Sequence, residues 1–319
     1  MPRYRPGPAI SLLAALPVAS LMLTACGGSG PAGTTVSGPP VIAVTTPILG
    51  AVVADAVGDG ARVEVVMPNG SDPHEWRPSA RDVATLQEAD LIIENGLGLE
   101  QGLTDAIARA REDGTPVFTA TDHVQVRQVG AEESVGGAGE GEGVPGAADP
   151  HFWTDPTQMR RVVLALPTAV EAATGADITA PARREAAALA ALDGALAARA
   201  ALVPGGARAF VTGHESLGYL ADRYGFRLVG AVTPSVSSQG QVSAAHLTAL
   251  AARMERAGTR VVFTDTGTPG QVARAVADET GATVIDLPAH ALPADGEYAT
   301  FLDETMRRIA AALAPAGGQ

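Results

Sequence analysis

The sequence predicts an α/β protein of two lobes, each a parallel sheet flanked by helices, joined by one long α-helix. Three observations carry this expectation. From residue 41 onward, short β-branched runs alternate with helical stretches, and strands separated by helices pair in parallel. The alternation pauses over 179–204, where alanine dominates, and then resumes. A chain of 319 residues, 46% hydrophobic, can fill two lobes of ordinary domain size.

The elements follow in order. Residues 1–26 read as a secretory signal: Arg3 and Arg5 give a positive start, and the apolar run over 10–23, interrupted by Pro17, is shorter than a membrane span requires. The signal closes on Leu23-Thr24-Ala25-Cys26, which resembles the bacterial lipobox, where the cysteine carries the lipid. Residues 27–40, rich in Gly, Ser, Pro and Thr, read as a flexible tether. The N-terminal lobe spans 41–178. Its strands are expected at 41–44, 62–67, 91–93 and 117–118, with a helix over 48–57 between the first two. Ser79, with Asp82 three residues on, forms a capping box for a helix reaching about residue 89. Leu99, Leu103 and Ile107 mark one face of the next helix, and Gly114 ends it. The stretch 130–148, rich in Gly, Ala and Glu and without apolar periodicity, reads as a mobile acidic loop. A helix over 157–173 leads to the linking helix at 179–204, which Pro204-Gly205-Gly206 stops. The C-terminal lobe, 205–319, repeats the plan with strands at 209–211, 227–232, 260–264 and 283–285. Its helices are expected around 217–224, from the Ser243 cap to 256, over 269–279 and over 298–313.

Composition excludes several functions. A net charge of −13 argues against nucleic acid and against a broad electrostatic membrane patch. One cysteine, Cys26, leaves neither a disulfide framework nor a thiolate metal cluster, so any metal site must use nitrogen and oxygen donors.

The chemistry concentrates in a repeated motif. Asp72-Pro73-His74-Glu75-Trp76 returns as Asp149-Pro150-His151-Phe152-Trp153-Thr154-Asp155-Pro156. Proline fixes its own backbone and restricts the residue before it, so each imidazole is presented by a stiffened turn. Two such histidines among six suggest one shared task, and metal ligation is the first candidate. In open parallel sheets, ligands bind beyond the carboxyl ends of the strands. His74, His151, His214 and Asp286 all fall on that edge, two in each lobe, and Asp265 is a rival to Asp286. His123, His246 and His290 read as surface or hydrogen-bonding residues: His123 has no rigid setting, His246 lies inside a predicted helix, and His290 lies in a Pro/Ala loop.

With Ala89-Asp90-Leu91-Ile92, Gly96-Leu97-Gly98-Leu99-Glu100, His214-Glu215-Ser216-Leu217-Gly218-Tyr219 and the spacing from Asp286 to Tyr298, these motifs resemble the solute-binding lipoproteins of zinc and manganese ABC importers, the ZnuA/TroA-like family, over nearly all of 41–315. The resemblance implies two lobes joined by one long helix with a single metal between them. It implies His74, His151, His214 and Asp286 as ligands, with Glu215 the alternative at the third position, where manganese binders often carry Glu. It also implies a monomeric extracytoplasmic receptor, anchored to the membrane through Cys26, which delivers its ion to an ABC permease and its ATPase. Three imidazoles and one carboxylate favour Zn2+ over Mn2+, which prefers more oxygen donors. Three alternatives stay open: a manganese receptor of the same kind, a metal-dependent hydrolase with Glu215 as its base, and a structural adhesin whose metal only locks the lobes together. A catalytic zinc keeps an open water position, and four protein ligands leave none.

Overall fold

The computed structural model describes residues 38–131, 133, 145–265 and 270–314. The expected signal over 1–26 with Cys26, most of the expected tether and much of the acidic stretch over 130–148 lie outside the described residues. Among the described residues, no helix is long and apolar enough to cross a membrane.

Two parallel sheets organise the chain. β1 (Val41–Val44), β2 (Arg62–Val65), β3 (Leu91–Glu94) and β4 (Val117–Thr119) pair in the order β2-β1-β3-β4. β5 (Ala209–Thr212), β6 (Arg227–Ala231), β7 (Val261–Thr264) and β8 (Thr283–Asp286) repeat the arrangement as β6-β5-β7-β8. Central strands of parallel sheets are covered on both faces, and their sequences show it: Leu-Ile-Ile in β3 and Val-Val-Phe in β7 are continuous apolar runs. In each sheet the order reverses between the first and third strands. That is the topological switch point where a crevice opens beyond the strand ends.

Local chemistry sets the helix boundaries. α1 (Pro47–Val57) begins with proline, whose missing N–H costs nothing at a first helical position. α2 (Ala80–Gln87) carries the expected capping box: Ser79 accepts from the Asp82 N–H and the Asp82 carboxylate accepts from the Ser79 N–H. α3 (Thr104–Glu112) starts later than the Leu99 periodicity predicts. Gly96, Leu97 and Gly98 adopt φ of 94°, 53° and 72°, a left-handed run that no helix can include. Leu99 still packs in the core, but from a loop. α4 (Pro156–Thr174) is capped by the Asp155 carboxylate on the Thr157 N–H and ends at left-handed Gly175.

α5 (Thr179–Ala200), the linking helix, has 22 residues and so runs about 33 Å. Its buried Ala182, Ala186, Leu189, Leu196 and Ala200 lie against α1, α4 and α9 (Tyr298–Leu313). The small side chains bring these backbones close. Beyond it, α6 (Gly218–Tyr224), α7 (Ala244–Ala257) and α8 (Gly270–Thr280) flank the second sheet. One hydrophobic core extends from Ile42 and Leu91 through Leu189 and Leu196 to Phe210, Phe263 and Ile309. The two sheets are therefore welded across the linking helix as well as connected by it.

Candidate metal centre

Both Asp-Pro-His motifs fold into the same turn. The Asp72 carboxylate accepts from the His74 backbone N–H at 2.9 Å, and the Asp149 carboxylate accepts from the His151 backbone N–H at 2.9 Å. Each aspartate closes a local side-chain turn that the proline has already half-formed. At the second motif the same Asp149 oxygen also accepts from His151 Nδ1 at 2.8 Å. A carboxylate can only accept, so Nδ1 carries the proton and the Nε2 lone pair faces the site.

Other contacts fix the second turn from outside. The Asn95 side-chain amide donates to the Pro150 carbonyl at 3.0 Å. Asn95 is itself placed by Glu100, whose buried carboxylate accepts from the Asn95 N–H at 2.6 Å and the Thr45 hydroxyl at 2.5 Å. Burial pushes the Glu100 carboxyl upward. On the far side of the turn, Tyr219 Oη donates to the Asp149 carbonyl at 3.2 Å and accepts from the Arg127 N–H at 2.8 Å. The Arg127 guanidinium pairs with Asp149, with Glu133 and, across the lobes, with Asp222.

His214 follows β5, and its ring meets the other two. His74 Nε2 and His214 Nε2 each lie 3.3 Å from His151 Nε2. The three are 2%, 0% and 0% exposed for His74, His151 and His214. A tetrahedral ion with Zn–N bonds near 2.05 Å requires its nitrogen donors about 3.3 Å apart. Electrostatics suit a cation as well. Burial first, and then the neighbouring histidines, pull His74 down to about 2 and His151 well below its ordinary value, so both imidazoles are held neutral, the form a metal ligand requires. For His214 burial pulls downward, but Asp265, Asp72 and Asp149 more than offset it.

Asp286 does not join them. It is exposed at the end of β8, its carboxylate accepts from the Thr264 hydroxyl of the neighbouring strand, and its carbonyl accepts from Arg308 at 3.0 Å. Strand-end position brought Asp286 to the right edge, but pairing with β7 holds its side chain elsewhere. Asp265, its rival, lies closer: its Oδ2 is 3.0 Å from His214 Nδ1 and accepts from the Ser216 hydroxyl at 3.1 Å. Glu215 is buried beside His214, yet it belongs to neither group of converging donors found among the described residues. Burial first, then Glu133 and Asp149, push its carboxyl up to about 8.

The remaining histidines divide. His123 is exposed and stacks on Phe118. His246 donates from its ring to the Ala231 carbonyl at 2.9 Å. His290, read from sequence as a loop residue, is buried with His214 and Asp265 in the second group of converging donors. Its signal in the sequence is weak, because the motif Pro288-Ala289-His290 lacks the aspartate that marks the other two turns.

Comparisons with known proteins agree with this architecture. The family described as "Zinc-uptake complex component A periplasmic" matches residues 42–312. The high-affinity zinc uptake system protein ZnuA of Bacillus subtilis is 27% identical over 270 residues, 82% of each chain. The manganese ABC transporter substrate-binding lipoprotein PsaA of Streptococcus pneumoniae is 30% identical over 149 residues, and that match spans only 45% of either chain. The solved structure of the periplasmic zinc binding protein TroA from Treponema pallidum superposes with a TM-score of 0.73 at 24% identity, covering 87% of this chain and all of that one. A shared fold of two parallel sheets, with the family match running from β1 to the last helix, leads to one assignment: the chain belongs to the zinc-uptake complex component A family.

Proposed function

We propose that this protein is the extracytoplasmic receptor of a metal ABC importer, capturing one Zn2+ between its lobes and delivering it to a membrane permease driven by an ATPase. The observation that carries this reading is the convergence of three imidazoles: His74 Nε2 and His214 Nε2 each lie 3.3 Å from His151 Nε2, the separation a tetrahedral zinc ion needs, and one donor atom from each of the three rings lies within 4.8 Å of the others. Burial of all three favours a tightly held cargo over a rapidly exchanging surface ion. Relatives named for zinc uptake and for zinc binding support the same cargo. The receptor is anchored through lipidated Cys26 and acts as a monomer.

The site favours binding over catalysis. The cavity beside it, lined by Trp153, Met67 and His290 among others, holds about 20 Å³. That is room for one water and no organic substrate. Glu215, the candidate base for a hydrolase, belongs to neither group of converging donors among the described residues. A manganese cargo is the second reading, and Asp265 is the observation in its favour: a carboxylate among the converging donors adds oxygen character.

Titration of the full-length chain with zinc and with manganese, alone and in competition, tests the proposal. Zinc should bind one ion per chain and displace manganese. His151→Ala should lose most zinc affinity with its far-UV spectrum unchanged, and thermal stabilisation by added zinc should vanish with it. Equal or tighter manganese binding would replace the cargo; no binding of either ion would remove the receptor role.

A further inference from the structure

His290 has the least distinctive sequence context of the buried histidines, yet the loop that carries it is held by long-range hydrogen bonds. It follows β8 by four residues, and the loop carrying it is pinned from two directions. Trp153 Nε1, from the second Asp-Pro-His motif, donates to the Ala289 carbonyl at 3.4 Å. Asn69, from the loop leading to His74, donates through its side-chain amide to the Leu292 carbonyl at 2.9 Å and accepts from the Leu292 N–H at 2.8 Å. Both loops that deliver a histidine to the centre thus also grip the loop that delivers His290.

The ring ends among the other imidazoles. It stacks on His214 at 5.6 Å between centroids with a 21° tilt, lies 6.5 Å from His151, and packs edge-on to Trp153 at 6.0 Å. It is 3% exposed, and its Nε2 has no hydrogen-bond partner. A buried ring nitrogen without a partner costs stability unless something fills its lone pair. Asp265, the other donor at this end, is already committed, with Oδ2 against His214 Nδ1 and the Ser216 hydroxyl.

We propose that His290 is the fourth metal ligand, so that the ion is held by four imidazoles, and that Asp265 acts from behind His214 as Asp149 acts from behind His151. This rests on the zinc-receptor reading and sharpens it. A set of four neutral nitrogen donors places no carboxylate on the ion. It should therefore discriminate against manganese more strongly than a set that includes one. The two aspartates then orient rings and lend basicity without touching the metal, the usual task of a carboxylate behind a ligating histidine.

The test uses the full-length chain in mild detergent, loaded with zinc alone. X-ray absorption at the zinc edge counts imidazoles in the bound state. Four are expected in the wild type and in Asp265→Asn, which should lose about 10- to 100-fold in affinity, the range seen when a supporting carboxylate is removed. His290→Ala should show three imidazoles and a zinc affinity weaker by about a hundredfold or more. His290→Asp should bind zinc again but with the preference for zinc over manganese reduced about tenfold or more. Three imidazoles plus a carboxylate oxygen in the wild type, or a His290→Ala affinity within threefold of wild type, would overturn the proposal while leaving the receptor role intact. The wild-type count stands as evidence even if a variant fails to fold. A wild-type chain that takes up no zinc at all would remove both readings together.

Discussion

One oxygen of Asp149 holds His151 at two points, accepting from its backbone N–H at 2.9 Å and from its ring Nδ1 at 2.8 Å. The first bond sets where the residue starts and the second sets which way its ring faces, so backbone and tautomer are fixed by a single buried carboxylate. Burial pushes Asp149 up to about 6, while its bond to the His151 N–H and the charge of Arg127 favour the ionised form.

Replacing that carboxylate by an amide tests the arrangement directly. Asp149→Asn should keep the fold, because its volume is unchanged, and should weaken zinc binding by about 10- to 100-fold. Isothermal titration reads the affinity. A change under threefold would mean the ring is oriented by packing against Trp153 alone.

The left-handed loop before Leu99 supplies a stability prediction. A Cβ on Gly96, at φ 94°, would lie 2.2 Å from Thr121 Oγ1 and 2.6 Å from Thr119 Cγ2. Gly96→Ala should therefore cost about 2 kcal/mol or more in urea unfolding, from strain and overpacking together. Because Asn95 in the same loop holds Pro150, zinc affinity should fall as well. Unchanged stability would show that the loop reshapes freely.

Glu185 on α5 gives a pH dependence remote from the metal. Burial first, then the charges of Asp55 and Glu297, push its carboxyl from 4.5 to about 7. The folded state therefore binds the proton more tightly than the unfolded one, and stability falls as pH rises through the window between 4.5 and about 7. Glu185→Gln should be more stable than wild type at pH 8 by about 1 kcal/mol, a figure already reduced for the group's partial exposure. The difference should vanish near pH 4. Chemical denaturation of the metal-free chain at both pH values measures it, and a pH-independent difference would mean the effect is packing.

If Cys26 carries the anchor as proposed, Cys26→Ser should move the protein from the membrane to the soluble fraction with its zinc affinity unchanged, since the Gly/Ser/Pro-rich stretch 27–40 stands between Cys26 and the first strand in the sequence. Membrane fractionation followed by titration decides this. Continued membrane association would exclude lipidation as the anchor.

The alternation of strands and helices was legible because each parallel strand is a short apolar run between punctuating residues. Ser79 and Asp82 marked α2 through purely local chemistry. The late start of α3 was not legible. Leu99 has helical spacing, and what keeps it out of the helix is the positive φ of Leu97 between two glycines, a conformation leucine rarely adopts. At the centre, proline-stiffened turns announced His74 and His151, and the strand-edge rule extended the set to His214. The same rule pointed to Asp286, which the structure leaves exposed and paired with Thr264. His290 escaped notice because what brings it inward is long-range: an indole from Trp153 and an amide from Asn69, each more than a hundred positions away in the chain. Position along a strand can be read from a local window, whereas tethering of a loop to distant side chains cannot.

The core that runs without a break from Ile42 through Leu189 to Ile309 has a kinetic consequence. Swinging one sheet away from the other would tear apolar surface from α5 over much of its length, at a cost on the scale of unfolding the domain. An ion held as proposed by His74, His151 and His214 would therefore leave through the loosening of individual loops, those bearing Asn69 and Gln239 foremost, since Gln239 ties the His74 carbonyl across the lobes at 2.7 Å. Dwell time on the receptor then depends on how often two or three hydrogen bonds fail together, and a permease could set the moment of transfer by competing for those bonds alone.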